Sequence, residues 1–379
     1  MLFNWQNSLI CKYYEIGDDN FMINRIGTHT LEFTNRPRIV GFGSVAGKKE
    51  GEGPLSDWFD RIHTDTSLGE ETWEKAEAML QQEAVTLALE KSGLDKSNID
   101  YIFAGDLLNQ CVSSSYGLRS MEIPFLGQYG ACSTMAQTMS MAAVFAESGA
   151  ADFCAAVTSS HFCSAERQFR YPLQYGGQRT PTAQWTVTGS GSVIIGAIEN
   201  GSFKLGEDML NASGDILLKK QIGIEHICTG KIIDMGITDA NNMGAAMAGA
   251  AADTIVHYFK DTGTDYSNYD LIVTGDLGKV GSELLYELLG KDKIFIEKNH
   301  KDCGLMIFDL QKQDVHAGGS GCGCSGSVLC SYLIKNMMKR KYNDILFIAT
   351  GALMSPTIVQ QGESIPGIAH LVHLKNCTE

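Results

Sequence analysis

The segments KSNIDYIFAGDL (residues 96–107) and YSNYDLIVTGDL (residues 266–277) are identical at seven of twelve positions, with a constant offset of 170. Each copy ends in an apolar run that stops at a Gly-Asp pair, which is typical of a buried strand followed by a turn. A helix-like stretch precedes each copy, at 73–92 and at 243–259. The repetition indicates that the chain consists of two related halves.

A second correspondence pairs Cys132-Ser133 with Cys324-Ser325, at an offset of 192. Each half then reads as strand, Gly-Asp turn, strand, tight Cys-Ser turn, buried helix of small residues, and strand. Strands that alternate with helices predict an α/β fold with a mainly parallel sheet in each half. Two duplicated halves should pack around a pseudo-twofold axis, and we expect the two Cys-Ser turns to meet near that axis.

The composition excludes several classes of protein. The 379 residues carry a net charge of −14, with 44% hydrophobic and 20% charged residues, as in a soluble globular protein that does not bind nucleic acid. Eleven irregularly spaced cysteines fit reduced thiols better than a disulfide scaffold. The N-terminus lacks the pattern of a signal peptide. We assign the chain to an N-terminal extension at 1–21, expected to be disordered, a first half at 22–200 and a second half at 201–379.

Cys132 lies where a turn of small residues, GACST (130–134), leads into an apolar helical run. Unpaired N–H groups and the helix dipole at a helix N-terminus favour negative charge, so this position predicts a lowered thiol pKa and a nucleophile. The alternative is a small buried residue that serves packing. The sequence around Cys132 leaves both interpretations open.

The duplicated halves, the GACST turn, TGSGSVIIG (188–196) and HAGGSGCGCSGSVL (316–329) together resemble the thiolase and ketoacyl-synthase superfamily. This resemblance implies a five-layer αβαβα fold in which Cys132 matches the nucleophile that is acylated. It also places Gly275 at the position of the family's catalytic histidine and Cys322 at that of its asparagine. His316 lies nearby, but a position before three glycines is more typical of a strand end. Neither glycine nor a thiol supplies a base or an oxyanion donor, so we expect no catalysis.

Longer strings, among them AERQFRYP (165–172) and GALMSPT (351–357), resemble a sporulation family within this superfamily, the stage V sporulation protein AD family. The resemblance implies non-enzymatic binding of dipicolinic acid or its calcium complex and support of its uptake into the developing spore. It implies membrane-embedded stage V sporulation proteins as partners, and a forespore or spore protein peripheral to the inner membrane. No cofactor is expected, and calcium only as part of the ligand. A homodimer is an expectation by analogy with the superfamily.

A flat dianion such as dipicolinate requires hydrogen-bond donors around a narrow slot, and calcium would add carboxylate oxygens. Arginine suits a carboxylate, and the N–H groups after each Cys-Ser turn can hold an anion. Each acidic candidate has the alternative role of capping a turn, and each arginine that of an ion pair, for instance with Glu166. The candidate ligand-binding residues are Asp106, Cys132, Ser133, His161, Arg167, Arg170, Asp276, Cys322 and Cys324. The rival hypothesis is an acyltransferase or condensing enzyme that uses Cys132 with His161 or His316.

Overall fold

The computed structural model describes residues 22–170, 179–199, 202–203 and 222–377. The predicted extension at 1–21 and the predicted boundary between the halves at 200 and 201 lie outside these residues. The strands are β1 (Ile23–Ile26), β2 (Thr30–Phe33), β3 (Arg38–Ala46), β4 (Arg61–Ile62), β5 (Tyr101–Gly105), β6 (Phe125–Gly127), β7 (Phe153–Ser160), β8 (Trp185–Thr186), β9 (Gly189–Gly196), β10 (Ile198–Glu199), β11 (Ser202–Phe203), β12 (Ile222–Cys228), β13 (Leu271–Thr274), β14 (His300–Asp302), β15 (Gly319–Ser320), β16 (Asp344–Ala352) and β17 (Gly367–Asn376). The helices are α1 (Lys48–Gly51), α2 (Trp73–Ser92), α3 (Val112–Leu118), α4 (Thr134–Glu147), α5 (Phe162–Arg170), α6 (Met243–Thr262), α7 (Gly278–Lys291), α8 (Cys303–Met306), α9 (Cys322–Val328), α10 (Ile334–Met338) and α11 (Pro356–Gln360).

The sheet repeats one arrangement of five strands. The order β6-β5-β7-β9-β3 in the first half corresponds to β14-β13-β16-β17-β12 in the second, and the sets join where β12 pairs with β3. The two repeated segments supply β5 and β13, which occupy equivalent places. The predicted duplication is therefore confirmed by the topology.

The prediction of a mainly parallel sheet is wrong, because each half is mixed. β5 runs parallel to β6 and β7, but β9 runs antiparallel to both β7 and β3, and the second half repeats this pattern. Ser160 at the end of β7 pairs with Gly189 at the start of β9, and Ala352 pairs with Gly367 in the same way. The segments that connect β7 to β9 and β16 to β17 thus begin and end at the same end of the strands. The second strand of each pair must therefore be antiparallel to the first.

The helices lie in layers on either side of the two sets of strands. α4 contacts β5, β7 and β9 of the first half and β16 and β17 of the second, and α9 also contacts strands of both halves. α2 packs on the first set and α6 on the second. This is the five-layer αβαβα arrangement that was predicted.

The outer helices begin and end as their sequences predict. The Thr72 side chain accepts a hydrogen bond from the N–H of Lys75 at the start of α2, and Gly93 ends the helix with φ of 71°. Asn242 caps α6 in the same manner, and Gly263 ends it with φ of 67°. Left-handed glycine is the usual end of a helix. No helix in the described ranges is long and apolar enough to cross a membrane.

The helices that follow the Cys-Ser turns carry the central core. Met135, Met139 and Ala142 of α4 are fully buried, as are Val328 at the end of α9 and Leu333 beyond it. These side chains belong to one hydrophobic cluster that also includes residues of strands from both halves. The layer between the sheets therefore brings the two Cys-Ser turns to the interface of the halves.

Candidate functional site

The turn that holds Cys132 is closed by its own hydrogen bonds. The N–H and hydroxyl of Ser133 both donate to the carbonyl of Gly130, at 3.1 and 2.7 Å, and the Thr134 hydroxyl donates to the carbonyl of Ala131. Ala131 has φ of 50°. Because the Ser133 N–H is already used, the predicted role of this group in holding an anion is not supported.

The second half approaches this turn closely. A Cβ added at Gly351, near the end of β16, would lie 2.4 Å from the carbonyl oxygen of Gly130, so only glycine fits there. The hydroxyl of Ser325 in α9 donates to the carbonyl of Cys132 at 3.5 Å. The structure thus confirms that the two Cys-Ser turns meet where the halves pack.

Cys132 is 6% exposed, and its thiol lies near the carboxylate of Asp276. Burial raises the pKa of Cys132 well above the usual value for a thiol, and the nearby charge of Asp276 raises it further. The prediction of a lowered pKa is therefore wrong, because desolvation outweighs the helix dipole at this position.

Asp276 follows β13 and reaches across the interface of the halves. One carboxylate oxygen accepts from the N–H of Gly321 at 2.8 Å, and the other accepts from the hydroxyl of Thr350 at 2.8 Å. Burial raises the pKa of Asp276 to about 7, against the effect of these donors and the Cys132 thiol. Asp276 thus caps the turn after β13, and its carboxylate also forms part of the candidate site.

Asp106, the equivalent residue of the first half, stays within its own half. Its carboxylate accepts from the N–H of Leu108 and from both the N–H and the hydroxyl of Ser114, at 2.6 to 2.8 Å. Asp106 is fully buried, and desolvation raises its pKa. These contacts correspond to the turn-capping alternative.

Cys322 and Cys324 are fully buried, and desolvation raises the pKa of both thiols. The Cys322 thiol donates to the carbonyl of Ser159 at 2.9 Å, and Cys322 shares an apolar cluster with Cys132. The Cys324 thiol donates to the carbonyl of Gly275 at 3.7 Å. Cys322 thus lies close to the candidate nucleophile, as the resemblance implies. The described residues contain no group of three or more His, Cys, Asp or Glu side chains arranged to hold a metal ion.

The histidine candidates have other partners. His161 is buried, with one ring nitrogen 2.7 Å from the carbonyl oxygen of Thr66 and the other accepting from the N–H of Cys163. Burial lowers the pKa of His161. His316 lies in the turn before β15 and pairs with Asp314 at 2.9 Å.

Arg167 forms an ion pair with Glu74 of α2. Arg170 is the last residue of α5, and its side chain lies outside the description. The structure therefore brings Cys132, Cys322 and Asp276 together, but it shows His161 and Arg167 in contacts of their own.

A small cavity lies beside Cys132, with a volume of about 30 Å³. Most of the residues that line this cavity were not predicted from the sequence. Tyr129 directly precedes the GACST turn, and Phe169 lies within the AERQFRYP string, so both were adjacent to recognised motifs. The lining includes Tyr129, Cys132, Phe169, Thr186, Ser320 and Met354.

Comparison with solved structures shows the fold. The chain is similar to 3-oxoacyl-[acyl-carrier-protein] synthase III from Aquifex aeolicus VF5, with 12% identity, a TM-score of 0.54, and coverage of 89% of this chain and 99% of the other. It is also similar to cerulenin-bound OleA from Xanthomonas campestris, with 11% identity, a TM-score of 0.56, and coverage of 93% and 100%. The fold is therefore that of thiolase-like condensing enzymes.

Comparison with protein sequences shows the family. The family model for stage V sporulation protein AD matches residues 27–375. The chain is 44% identical to stage V sporulation protein AD of Bacillus subtilis (strain 168) over 344 residues, which cover 91% of this chain and 96% of that protein. The chain therefore belongs to the stage V sporulation protein AD family.

Proposed function

We propose that this sporulation protein binds dipicolinic acid, or its calcium complex, in the cavity beside Cys132 without catalysing a reaction. The observation that carries this proposal is the state of the Cys132 thiol. It is buried near the carboxylate of Asp276, and its pKa is raised, whereas a nucleophile requires a thiolate at neutral pH. Binding would support uptake of the ligand into the developing spore.

The surroundings of Cys132 support a binder over an enzyme. A Cβ added at Gly275 would lie 3.1 Å from the backbone of Ala349 and Thr350, so a histidine at this position would require the strands to move. Cys322 is a weak hydrogen-bond donor where the superfamily resemblance implies an amide. His161, whose ring nitrogens contact Thr66 and Cys163, is poorly placed to act as the missing base.

The lining of the cavity suits a flat, polar ring, which would have to widen the space of about 30 Å³ between these side chains. Tyr129 and Phe169 offer aromatic surface, and the hydroxyl groups of Tyr129, Thr186 and Ser320 can donate to carboxylate oxygens. The carboxylate of Asp276 lies behind Cys132 and disfavours a free dianion when it is ionised. A calcium ion carried by the ligand would compensate that charge.

The partners and location follow from the same proposal. The protein would deliver its ligand to membrane-embedded stage V sporulation proteins, as a forespore or spore protein peripheral to the inner membrane. A homodimer would form at β6, an edge strand whose three residues are all exposed and include Phe125 and Leu126. Unpaired edge strands with apolar residues readily pair with another chain.

The decisive experiment measures melting temperature with dipicolinate, with and without equimolar calcium. We expect stabilisation by at least one of these ligands, because a ligand that binds only the folded state stabilises it. Replacement Cys132→Ala should change the affinity, whereas Cys377→Ala, at a half-buried thiol of the C-terminal segment, should not.

The rival function is an acyltransferase or condensing enzyme that uses Cys132, and the likeness to condensing enzymes favours testing it. Incubation with acyl-CoA thioesters followed by mass spectrometry measures acylation of Cys132. If Cys132 is acylated and dipicolinate does not change the melting temperature, the proposed function is wrong.

A further inference from the structure

Helix α5 separates the Cys132 cavity from a second, larger groove on its opposite face. Ala165 and Phe169 of α5 line the first cavity, whereas Ser164, Arg167 and Gln168 line the second. The groove has a volume of about 370 Å³, which is within the range of small-molecule sites. Arg167 and Gln168 belong to the AERQFRYP string, but the proposed dipicolinate site beside Cys132 does not use this groove.

Two opposite charges lie side by side in the wall of this groove. The guanidinium of Arg167 pairs with the carboxylate of Glu74, and their side chains are 54% and 27% exposed. An ion pair this exposed contributes little to stability. A ligand that carries both charges can therefore replace the pair, with its carboxylate on Arg167 and its ammonium on Glu74.

The remaining walls suit a small molecule with a short apolar part. Val112 is half-buried and provides apolar surface, and the exposed side-chain amides of Asn109 and Gln110 also line the groove. The buried hydroxyl of Ser164 donates into the protein and keeps a lone pair that can accept a hydrogen bond.

The groove is held open by contacts of α5 with the loop after β5. The side chain of Gln168 accepts from the N–H of Asn109 at 2.8 Å and donates to the carbonyl of Leu107 at 3.0 Å. These hydrogen bonds fix two walls of the groove relative to each other, which lowers the cost of binding.

The charges of Glu74 and Arg167 exclude ligands that carry charge of only one sign. Glu74 would repel a dianion such as dipicolinate, and Arg167 would repel a divalent cation. We propose that the groove binds a small zwitterion, an α-amino acid with an aliphatic side chain that packs on Val112. This proposal does not depend on dipicolinate binding.

The test uses L-valine and two derivatives that each lack one charge. N-acetylvaline has no ammonium and valine methyl ester has no carboxylate. At about ten times its dissociation constant, we expect L-valine to raise the melting temperature by about 2 °C. Each derivative should bind at least tenfold more weakly, because it leaves one charged side chain without a partner.

Two variants and a control complete the experiment. Arg167→Gln and Glu74→Gln should each weaken L-valine binding at least tenfold while the unliganded melting temperature stays close to that of the wild type. Glu71→Gln removes an exposed ion pair with Lys75 outside the groove and should leave binding unchanged. The proposal is overturned if L-valine gives no stabilisation up to its solubility limit, if the blocked derivatives bind equally well, or if the Arg167 and Glu74 variants bind like the wild type.

Discussion

Replacement of Glu50 by glutamine should remove a large part of the pH dependence of folding stability. Glu50 lies in α1 and is fully buried, and one carboxylate oxygen accepts from the N–H of Thr188 at 3.0 Å. Its second oxygen has no hydrogen-bond partner within the described residues. Burial raises the pKa of Glu50 from 4.5 to about 7.

The sign and size of the effect follow from this shift. The folded protein holds the proton more tightly than the unfolded chain, so stability is lost as pH rises through the window between about 4.5 and about 7. Each pKa unit corresponds to about 1.4 kcal/mol, so the total loss is about 3 kcal/mol. About 2 kcal/mol of it falls between about pH 5.5 and about pH 8, where unfolding can be measured.

Urea unfolding followed by tryptophan fluorescence at these two pH values gives the free energy of unfolding of each variant. Relative to the wild type, Glu50→Gln should gain about 2 kcal/mol on going from the lower to the higher pH. Glutamine keeps the acceptor for Thr188, and any constant cost of its amide cancels in this difference. Glu52→Gln, at an exposed position in the same turn, is the control and should follow the wild type. Parallel pH profiles of the wild type and Glu50→Gln would refute the reasoning.

Three further predictions concern the end of β13, the edge strand β6 and the thiol of Cys132. Gly275→Ala should lower the free energy of unfolding by about 1 to 3 kcal/mol, because the added Cβ would lie 3.1 Å from the backbone of β16. Gly290→Ala is the control and should not lower the free energy of unfolding, since there is open space around Gly290. Urea unfolding measures this free energy for both variants. Phe125→Lys should convert the proposed dimer to a monomer in light scattering, and an unchanged mass would exclude β6 as the interface. Asp276→Asn removes a charge that raises the pKa of the Cys132 thiol, so alkylation of Cys132 by iodoacetamide should reach its half-maximal rate at lower pH, and an unshifted rate profile would contradict this.

The sequence predicts the halves and most of their elements because the duplication is visible in short-range patterns. The apolar run that becomes β13, the periodicity of α2 and the glycines that end α2 and α6 are all local features. The direction of β9 and β17 is not local. It depends on whether the connection before each of these strands returns to the same end of the sheet or crosses to the other end. Neither the composition nor the periodicity of a strand specifies this.

The sequence identified Cys132 as part of the candidate site, but it did not predict the direction in which the pKa of the Cys132 thiol is shifted. The helix N-terminus predicts a lowered thiol pKa, yet burial raises this pKa, and the charge of Asp276, 144 residues further along the chain, raises it further. Burial by the second half reverses the direction of the shift. For the same reason the pairing of Arg167 with Glu74, which lies on another helix, could not be distinguished in the sequence from a pair with its neighbour Glu166.

The two Gly-Asp turns show how a duplicated sequence can yield one site only. Asp106 accepts hydrogen bonds from Leu108 and Ser114 within the first half, whereas Asp276 contacts Cys132 of the other half. Since Asp276 also accepts from Thr350 at the end of a strand of the second half, movement of either half changes the environment of the Cys132 thiol. The asymmetry between these two aspartates, more than the Cys-Ser turn that both halves share, places the candidate site on one side of the pseudo-twofold axis.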